Sequence, residues 1–503
     1  MVDMFVQGFS TVMLDPVCML LIFFGTGLGI VFGAIPGLTA TIAIAMLLPV
    51  TFSMSTTTSI ALLVSLYIGG ISGGLVSAIL LNMPGTPSSI ATCFDGRPLA
   101  LKGEGGKALG VGVFFSFIGT ILGIAVMIFI APALAAITIK FGAWEYFSVT
   151  LFSLTLIAGL SGKNIVKGLM TAVIGMIFAT VGMAPIDGME RFTFGSVELT
   201  SGFAMLSVLV GLYAISEVMK TAGTMQGEEN MIPTEYHIKG FGFSMQEFMG
   251  QIWNCIRSAL IGIGIGILPG IGGATSNILA YSVAQKQSKY PEKFGTGIID
   301  GVVASETSNN ATIGGAMIPL LTLGIPGDTV TAMLLGGFVL HGITPGPLLF
   351  ESHGDVVYGV FAAMILSTIF MLIWAYGAMR LFVRVLNIPK NYLFPVIMVL
   401  CTVGAYALNN RVFDVVSMIF FGVVGYSLEK LKYPLPPFIL GFVLGGAFEQ
   451  NLRRGLQIGQ GNFFDLFNYP IAVVFFVGAV LSVIMSVRQV IKNRQANKVK
   501  VAA

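Results

Sequence analysis

The sequence predicts an all-α polytopic membrane protein, and three features of its composition and pattern support this. Of its 503 residues, 55% are hydrophobic and 10% are charged, and the mean hydropathy is +0.91. Soluble domains carry about 25% charged residues, so this chain has too few charges to cover a water-facing surface of its size. Its apolar runs are long and continuous, whereas the strands of a transmembrane barrel alternate in short segments. The membrane segments are therefore expected to be helices.

A polar stretch near the middle divides the chain into two apolar halves. We interpret residues 1–220 as a first membrane repeat, 221–246 as a polar connecting loop, 247–487 as a second membrane repeat and 488–503 as a basic tail. The tail holds Lys and Arg but no acidic residue, so the positive-inside rule places it in the cytoplasm. The N-terminal 15 residues hold two acids and no base, which favours the outside.

The two halves carry Pro-Gly breaks in the same order. Pro36-Gly37 recurs as Pro269-Gly270 after 233 residues, and Pro84-Gly85 recurs as Pro326-Gly327 after 242. Because proline cannot donate to the helix ladder, the preceding helix should stop at each break. We interpret the matched breaks as an internal duplication and expect the halves to be inverted repeats. Interrupted spans at matching places are typical of secondary transporters, with the binding site at the breaks.

The first break of each half is predicted to start a short helix inside the membrane. Thr39 can cap the helix that follows Gly37, and Gly270 leads into a segment rich in glycine and hydroxyls. A helix that begins at membrane depth presents free N–H groups and a positive dipole end, which suit a carboxylate without a buried cation. The alternative is a kink at which glycines allow close helix packing.

The second break differs between the halves, because Asp328 stands where the first half has Thr86. A carboxylate between apolar runs is a functional candidate, since burying it without a partner is costly. Asp328, together with Thr329, could bind Na⁺ or carry a proton. The alternative is that Asp328 caps the following helix, a role that aspartate performs well after Pro-Gly, and a capping aspartate can also serve an ion.

Two further polar stretches have a predicted place in the chain. Residues 304–315 contain a run of amides, hydroxyls and one carboxylate, and we interpret them as a polar lead into a span or an unwound segment that lines a cavity. The alternative is an exposed loop with Ser and Asn caps. The stretch from Asp95 to Lys107 is expected to be a solvated loop.

The predicted site has solute ligands and an ion-coupling pair. Its solute ligands are backbone N–H groups together with Gly37, Thr39, Thr41, Asn82, Gly85, Thr86, Gly270, Thr275, Ser276, Asn277, Asn309, Asn310 and Gly327, and its ion-coupling pair is Asp328 and Thr329. The four cysteines are far apart, and the sequence has neither an HExxH motif nor a nucleophile elbow nor a P-loop. No catalytic residue, metal or cofactor is therefore predicted, apart from Na⁺ or H⁺ as a coupling ion.

Taken together, these motifs closely resemble the TctA family, the large membrane subunit of tripartite tricarboxylate transporters. The matching segments are 33–39, 82–86, 266–277, 305–310 running on to 323–327, and 432–437 with 444–446 and Glu449. The likeness spans nearly the whole chain. It implies a permease of the bacterial inner membrane that works with a small membrane subunit, TctB-like, and a periplasmic solute-binding protein, TctC-like.

The resemblance also implies a cargo and an energy source. Citrate and other di- or tricarboxylates are typical cargo, and uptake would be symport driven by an ion gradient. A passive channel or facilitator for small polar solutes is the alternative, since it would share the helix breaks without needing Asp328. An intramembrane enzyme would need a convergent acid, base and nucleophile, and the sequence shows no such group.

Overall fold

The computed structural model describes residues 2–160, 165–222, 242–379, 381–382 and 390–502, and it confirms the all-α class. In this part of the chain the only β-structure is one antiparallel pair, β1 (Gly182–Met183) with β2 (Glu190–Arg191). The predicted connecting loop, 221–246, lies mostly outside the described residues. The chain divides into two compact units, one of residues 1–135 and 217–410 and one of residues 136–216 and 411–503.

The helices of the first unit come from both ends of the sequence. They are α1 (Val2–Leu14), α2 (Pro16–Ala34), α3 (Ala40–Leu47), α4 (Thr56–Leu81), α5 (Ile90–Leu99) and α6 (Gly105–Thr138), followed by α11 (Ser216–Ala222), α12 (Met245–Ile267), α13 (Gly272–Gln287), α14 (Ile299–Leu323), α15 (Thr329–Leu340), α16 (Leu349–Ser352), α17 (Gly354–Gly377) and α18 (Lys390–Asn409). A 3₁₀ turn, Pro87–Ser89, leads directly into α5.

The second unit is also assembled from two stretches of chain. Its helices are α7 (Ala143–Leu160), α8 (Ile165–Ala179), α9 (Val197–Thr200), α10 (Met205–Val210), α19 (Val412–Lys430), α20 (Leu435–Ile458) and α21 (Pro470–Ala502). Aromatic rings of Phe178, Phe203, Phe421 and Phe438 meet edge to face or tilted, with centroids 5.0–6.2 Å apart. Each half of the sequence thus contributes helices to both units.

The Pro-Gly breaks end helices as predicted. Helix α2 ends at Ala34 and α12 ends at Ile267, each just before a first break. The segments after the breaks are short: α3 has 8 residues, α13 has 16 and α15 has 12. Helices of this length cannot cross a hydrocarbon layer of about 30 Å alone.

Five helical segments of the described residues are long and apolar enough to cross a membrane. They are 16–34, 56–81, 87–138, 354–377 and 412–430. Large apolar side chains remain exposed on other helices as well, including Phe129, Leu260 and Val474. Exposed apolar side chains along a helix are suited to lipid, so composition and structure agree on a membrane protein.

Two expectations about polar stretches are wrong. Residues 304–315 are neither a loop nor unwound, because they lie within α14, which is buried from Gly301 to Thr322. The polar side chains fit there because neighbouring helices supply hydrogen-bond partners. Asp95 is not in a solvated loop either: it lies in α5 and is fully buried. Its carboxylate accepts hydrogen bonds from Tyr281 and from three backbone N–H groups, at 2.8–3.1 Å.

Candidate functional site

Close backbone contacts hold the two breaks of each half together, and the same contacts occur twice. A Cβ built at Gly85 would strike the carbonyl oxygen of Gly33 and lie 2.9 Å from Cα of Gly74. A Cβ built at Gly327, the repeat partner of Gly85, would lie 2.7 Å from the carbonyl oxygen of Gly266 and 2.6 Å from Cα of Ala316. Gly33 and Gly266 are repeat partners by the first offset, and Gly74 and Ala316 by the second. These matched contacts support the predicted duplication.

The helices that precede the second breaks also end alike. Asn82 after α4 has φ 57° and Gly324 after α14 has φ 69°, both in the left-handed region. The next residues donate backwards, Met83 to the carbonyl of Ser77 at 3.4 Å and Ile325 to that of Pro319 at 3.2 Å. Asn82 is thus an exposed helix C-cap. Whether the two halves are inverted stays a prediction.

Residues from both halves meet at Asn309, in the middle of α14. A Cβ built at Gly273, at the start of α13, would lie 2.7 Å from Oδ1 of Asn309 and 2.8 Å from Cβ of Ser88. Ser88 belongs to the 3₁₀ turn that begins α5. The starts of two short helices, one after each type of break, therefore lie beside the same amide.

The side-chain amide of Asn309 has no hydrogen-bond partner although its residue is 1% exposed. Both Nδ2 and Oδ1 are buried and unpaired. An unpaired buried polar group costs about 1–3 kcal/mol, so packing alone gives no reason for an asparagine here. An amide that offers both a donor and an acceptor can bind a polar solute.

Hydroxyl groups of the second break line the same region. The Oγ1 atom of Thr86 lies 3.0 Å from the Oγ atoms of both Ser88 and Ser89. All three residues are buried, and a Cβ at Gly74 of α4 would lie 2.6 Å from Oγ1 of Thr86. The hydroxyls bond to one another and can turn towards a solute, because a hydroxyl both donates and accepts.

Two predicted solute ligands instead hold helices together. Asn277 accepts a hydrogen bond from the backbone N–H of Ala91 at 2.7 Å and donates to the carbonyl of Ser305 at 3.1 Å. Ser276 bonds to the hydroxyl of Thr312 at 2.8 Å and to its own helix. The Asn277 side chain thus caps the first turn of α5 from a neighbouring helix.

Asn310 belongs to a buried network around a carboxylate that the sequence analysis did not single out. Glu306 is fully buried and accepts hydrogen bonds from Thr92 at 2.5 Å, from Ser116 at 3.0 Å and from Asn310 at 3.3 Å. Asn310 accepts in turn from Ser72 at 2.7 Å. These residues lie on α4, α5, α6 and α14, so the network ties four helices together.

Asp328 caps α15 and is bonded to a second helix. Its Oδ1 accepts from the backbone N–H of Thr331 at 2.7 Å, and the hydroxyl of Thr331 accepts from the N–H of Asp328 at 2.8 Å. Its Oδ2 accepts from the hydroxyl of Tyr67, on α4, at 2.6 Å. The cap that was weighed against ion coupling is therefore present, and Thr329 is the half-buried first residue of α15. Ion coupling stays a prediction.

The remaining predicted ligands lie at the first breaks. Thr39 is the N-cap of α3, as predicted, and accepts from the N–H of Ile42 at 3.4 Å. Thr41 is buried within α3, whereas Gly37 is exposed with φ 89°. Gly270 donates its N–H to the carbonyl of Gly327 at 2.8 Å, which joins the two second-half breaks. Thr275 is half-buried on α13.

Sequence reasoning missed Ser88, Tyr67 and Glu306. The duplication carried a usable signal for Tyr67, because it is the repeat partner of Asn309 by the offset of 242. Ser88 stands two residues after Thr86, which was selected. Glu306 was read as one polar residue of a segment, whereas a single carboxylate inside a buried helix is itself informative.

The fold and the paired breaks define the chain as an α-helical polytopic membrane protein with interrupted helices. Residues 19–440 match the family described as the "Tripartite tricarboxylate transporter TctA family". The chain belongs to this family, which confirms the resemblance noted in its motifs. It is therefore the TctA-type membrane component of a bacterial tripartite transporter and belongs to a family of transporters, not of enzymes.

Two relatives from Agrobacterium vitis are similar to this chain. One, an "Uncharacterized 52.8 kDa protein in TAR-I ttuC' 3'region", is 36% identical over 488 residues, which cover 97% of this chain and 96% of the relative. The other, an "Uncharacterized protein in TAR-II ttuC' 3'region", is 37% identical over 231 residues, which cover 46% of this chain and 96% of the relative. No solved structure matches the chain.

Proposed function

We propose that this chain takes up organic anions, di- or tricarboxylates such as citrate, by symport with Na⁺ or H⁺. The observation that carries the proposal is the unpaired amide of Asn309 beside the starts of α13 and α5. Both helix starts offer backbone N–H groups and a positive dipole end, which favour an anion. Uptake of carboxylates also agrees with the tricarboxylate transporter family to which the chain belongs.

A carboxylate at this position would be bound without a basic side chain. The amide Nδ2 of Asn309 and the hydroxyl of Ser88 would donate to its oxygens, and Thr86 supports Ser88 through its own hydroxyl. A buried cation would instead cost several kcal/mol in desolvation before the solute arrives. The neutral donors therefore fit an anion that must also leave the site.

The carboxylate is proposed to arrive from two partner proteins. A periplasmic binding protein, TctC-like, would deliver it, and a small membrane subunit, TctB-like, would complete the permease. This arrangement requires the bacterial inner membrane, with the basic tail in the cytoplasm. Membership of a tripartite family supports these partners, because such a system has three components.

Asp328 and Thr329 are the proposed ion-coupling pair. The Asp328 carboxylate is 8% exposed and lies at the break where the first half has the neutral Thr86. Its capping and its bond to Tyr67 occupy both oxygens, but carboxylate oxygens have further lone pairs that can bind a cation.

Reconstitution of the permease with its two partner subunits in proteoliposomes tests the proposal. Asn309→Ala should abolish citrate counterflow, whereas Thr322→Ala, a buried hydroxyl lower on the same helix that bonds only to Ile318, should leave it close to wild type. Accumulation that needs an imposed Na⁺ or proton gradient indicates symport. Downhill flux that ignores both gradients indicates the channel alternative, and counterflow unaffected by Asn309→Ala would refute the solute site.

A further inference from the structure

Two polar pairs lie on successive turns of the same helix contact. Asn309 on α14 lies beside Ser88, and Glu306, three residues earlier on α14, bonds to Thr92, four residues after Ser88. Residues three and four apart share one helix face, and three residues advance a helix by about 4.5 Å. Glu306 is therefore about one turn from the proposed solute position.

The partners of Glu306 are all neutral. Its carboxylate accepts from two hydroxyls and one amide, and no ion pair involving it is found in the described part of the chain. A buried carboxylate without a cation is costly when ionised. The arrangement thus favours a group that holds a proton for part of its working cycle.

The other ionisable groups around Glu306 do not supply a compensating charge. Cys93, Tyr67, Cys255 and Tyr281 are uncharged as thiols or phenols, and Asp95 is satisfied by Tyr281 and backbone N–H groups. The groups on the elements that pack around α14 are Cys93 and Asp95 of α5, Tyr67 of α4, Cys255 of α12, Tyr281 of α13, Asp300 of α14 itself and Asp328 at the start of α15.

Basic side chains on these elements have other partners. Arg97 of α5 donates to the carbonyl of Leu80, and Lys107 of α6 pairs with Glu247 at 2.5 Å. Arg257 of α12 donates to Gln287 at 2.8 Å. None of these three side chains is bonded to Glu306.

The hydroxyl of Thr92 allows the network to hold either protonation state. When Glu306 is ionised, Thr92 donates to its Oε1 at 2.5 Å. When Glu306 is protonated, its O–H can donate to Thr92, whose own hydroxyl can then donate to Ser305, 3.3 Å away. Rotation of one hydroxyl therefore accommodates the proton without moving a helix.

We propose that Glu306 is a proton-binding site that couples proton binding to solute binding at Asn309. An ionised Glu306 would repel a carboxylate one turn away in a low-dielectric interior, and a proton on Glu306 removes that repulsion. Because coupling is reciprocal, bound solute would favour the proton equally. The inference rests on the proposed carboxylate site and adds a second ionisable group to the one at Asp328.

Purified permease complex with citrate as probe tests this through binding rather than transport. In the wild type, citrate affinity should fall about tenfold per pH unit once Glu306 is ionised, as one linked proton requires, and citrate should draw one proton from weakly buffered solution. Glu306→Gln should bind citrate with an affinity that ignores pH in that range, take up no proton, and still catalyse counterflow while losing accumulation driven by a pH gradient.

A second variant and a second readout cover a misfolded Glu306→Gln. Thr92→Val removes the rotating hydroxyl and should weaken the pH dependence while retaining citrate binding. The infrared carbonyl band of a protonated buried carboxyl should appear with citrate in the wild type, and it should be unchanged in Asp95→Asn, a matched carboxylate on the same helix contact.

The outcomes separate this inference from the proposed function. Failure of the wild type to bind or exchange any carboxylate would refute the proposed function itself. Citrate binding with no linked proton, or Glu306→Gln that accumulates citrate in a pH gradient like the wild type, would overturn the Glu306 assignment alone. Loss of a Na⁺-driven rather than a proton-driven response in Glu306→Gln would overturn its assignment to a proton.

Discussion

Two neighbouring asparagines should respond to alanine substitution in opposite ways. Asn277 makes two buried hydrogen bonds between helices, whereas the Asn309 amide makes none. Removing the Asn277 side chain leaves the N–H of Ala91 without its acceptor, since it lies in the first turn of α5, where intrahelical partners are missing. Removing the Asn309 amide leaves no partner behind.

The bond count sets the expected size of each effect. Asn277→Ala loses two bonds and orphans a buried donor, which together cost about 2–4 kcal/mol. Asn309→Ala removes an unsatisfied amide, a gain of about 1–3 kcal/mol, and this gain offsets the small cavity that the substitution leaves. Asn309→Ala should therefore be close to neutral in stability but inactive in transport.

Thermal unfolding of the detergent-purified complex, with and without citrate, measures both effects. At about 2 °C per kcal/mol, Asn277→Ala should lower the melting temperature by roughly 4–8 °C, and Asn309→Ala should leave it within about 2 °C. Citrate at 100 times its Kd should stabilise the wild type by about 2.7 kcal/mol, a shift that Asn309→Ala should lose. If Asn309→Ala destabilises the protein as much as Asn277→Ala does, the amide is structural and the solute site is refuted.

Three further substitutions test the breaks. Gly85→Ala and Gly327→Ala should each abolish folding or transport, because both Cβ atoms would strike backbone, while Gly264→Ala, which meets open space, should be tolerated in the same expression and uptake measurement; tolerance of either would contradict the close contact. Asp328→Asn keeps much of the cap and should abolish accumulation while downhill exchange survives, so preserved accumulation on the same purified variant would refute ion coupling there. Tyr67→Phe should lower the melting temperature by the loss of one charged hydrogen bond, about 1.5–3 kcal/mol, and an unchanged melting temperature would show that the bond to Asp328 contributes nothing.

Much of the fold followed from local chemistry that the sequence displays directly. Proline at position 36 or 269 lacks an N–H, so α2 and α12 had to end there, and they do. Thr39 could be recognised as a cap because a hydroxyl before an apolar segment has one obvious acceptor role. These features depend on residues close together in the chain.

The errors arose where the outcome depends on residues that are distant in the chain. The polar segment around Glu306 looked unsuited to a buried helix, but Thr92 and Ser116, about 200 residues earlier, satisfy it. Asp95 looked solvated because Arg97 and Lys102 follow it, yet Tyr281 lies against it in the fold. Periodicity and composition carry no record of such partners, so only the tertiary structure could distinguish a buried polar helix from a loop.

The duplication gives the site its asymmetry. Tyr67 and Asn309 are repeat partners, as are Thr86 and Asp328, and each of the first two faces the break of the opposite half. In one copy a phenol donates to a carboxylate and the pair is complete. In the other, an amide faces neutral hydroxyls and keeps both its donor and its acceptor unpaired. A duplicated scaffold that kept both copies alike would have either two charged sites or two neutral ones, whereas a symporter needs one place for an anion and another for a cation. Divergence at these two pairs therefore provides, from a single ancestral contact, the two chemistries that coupled uptake requires.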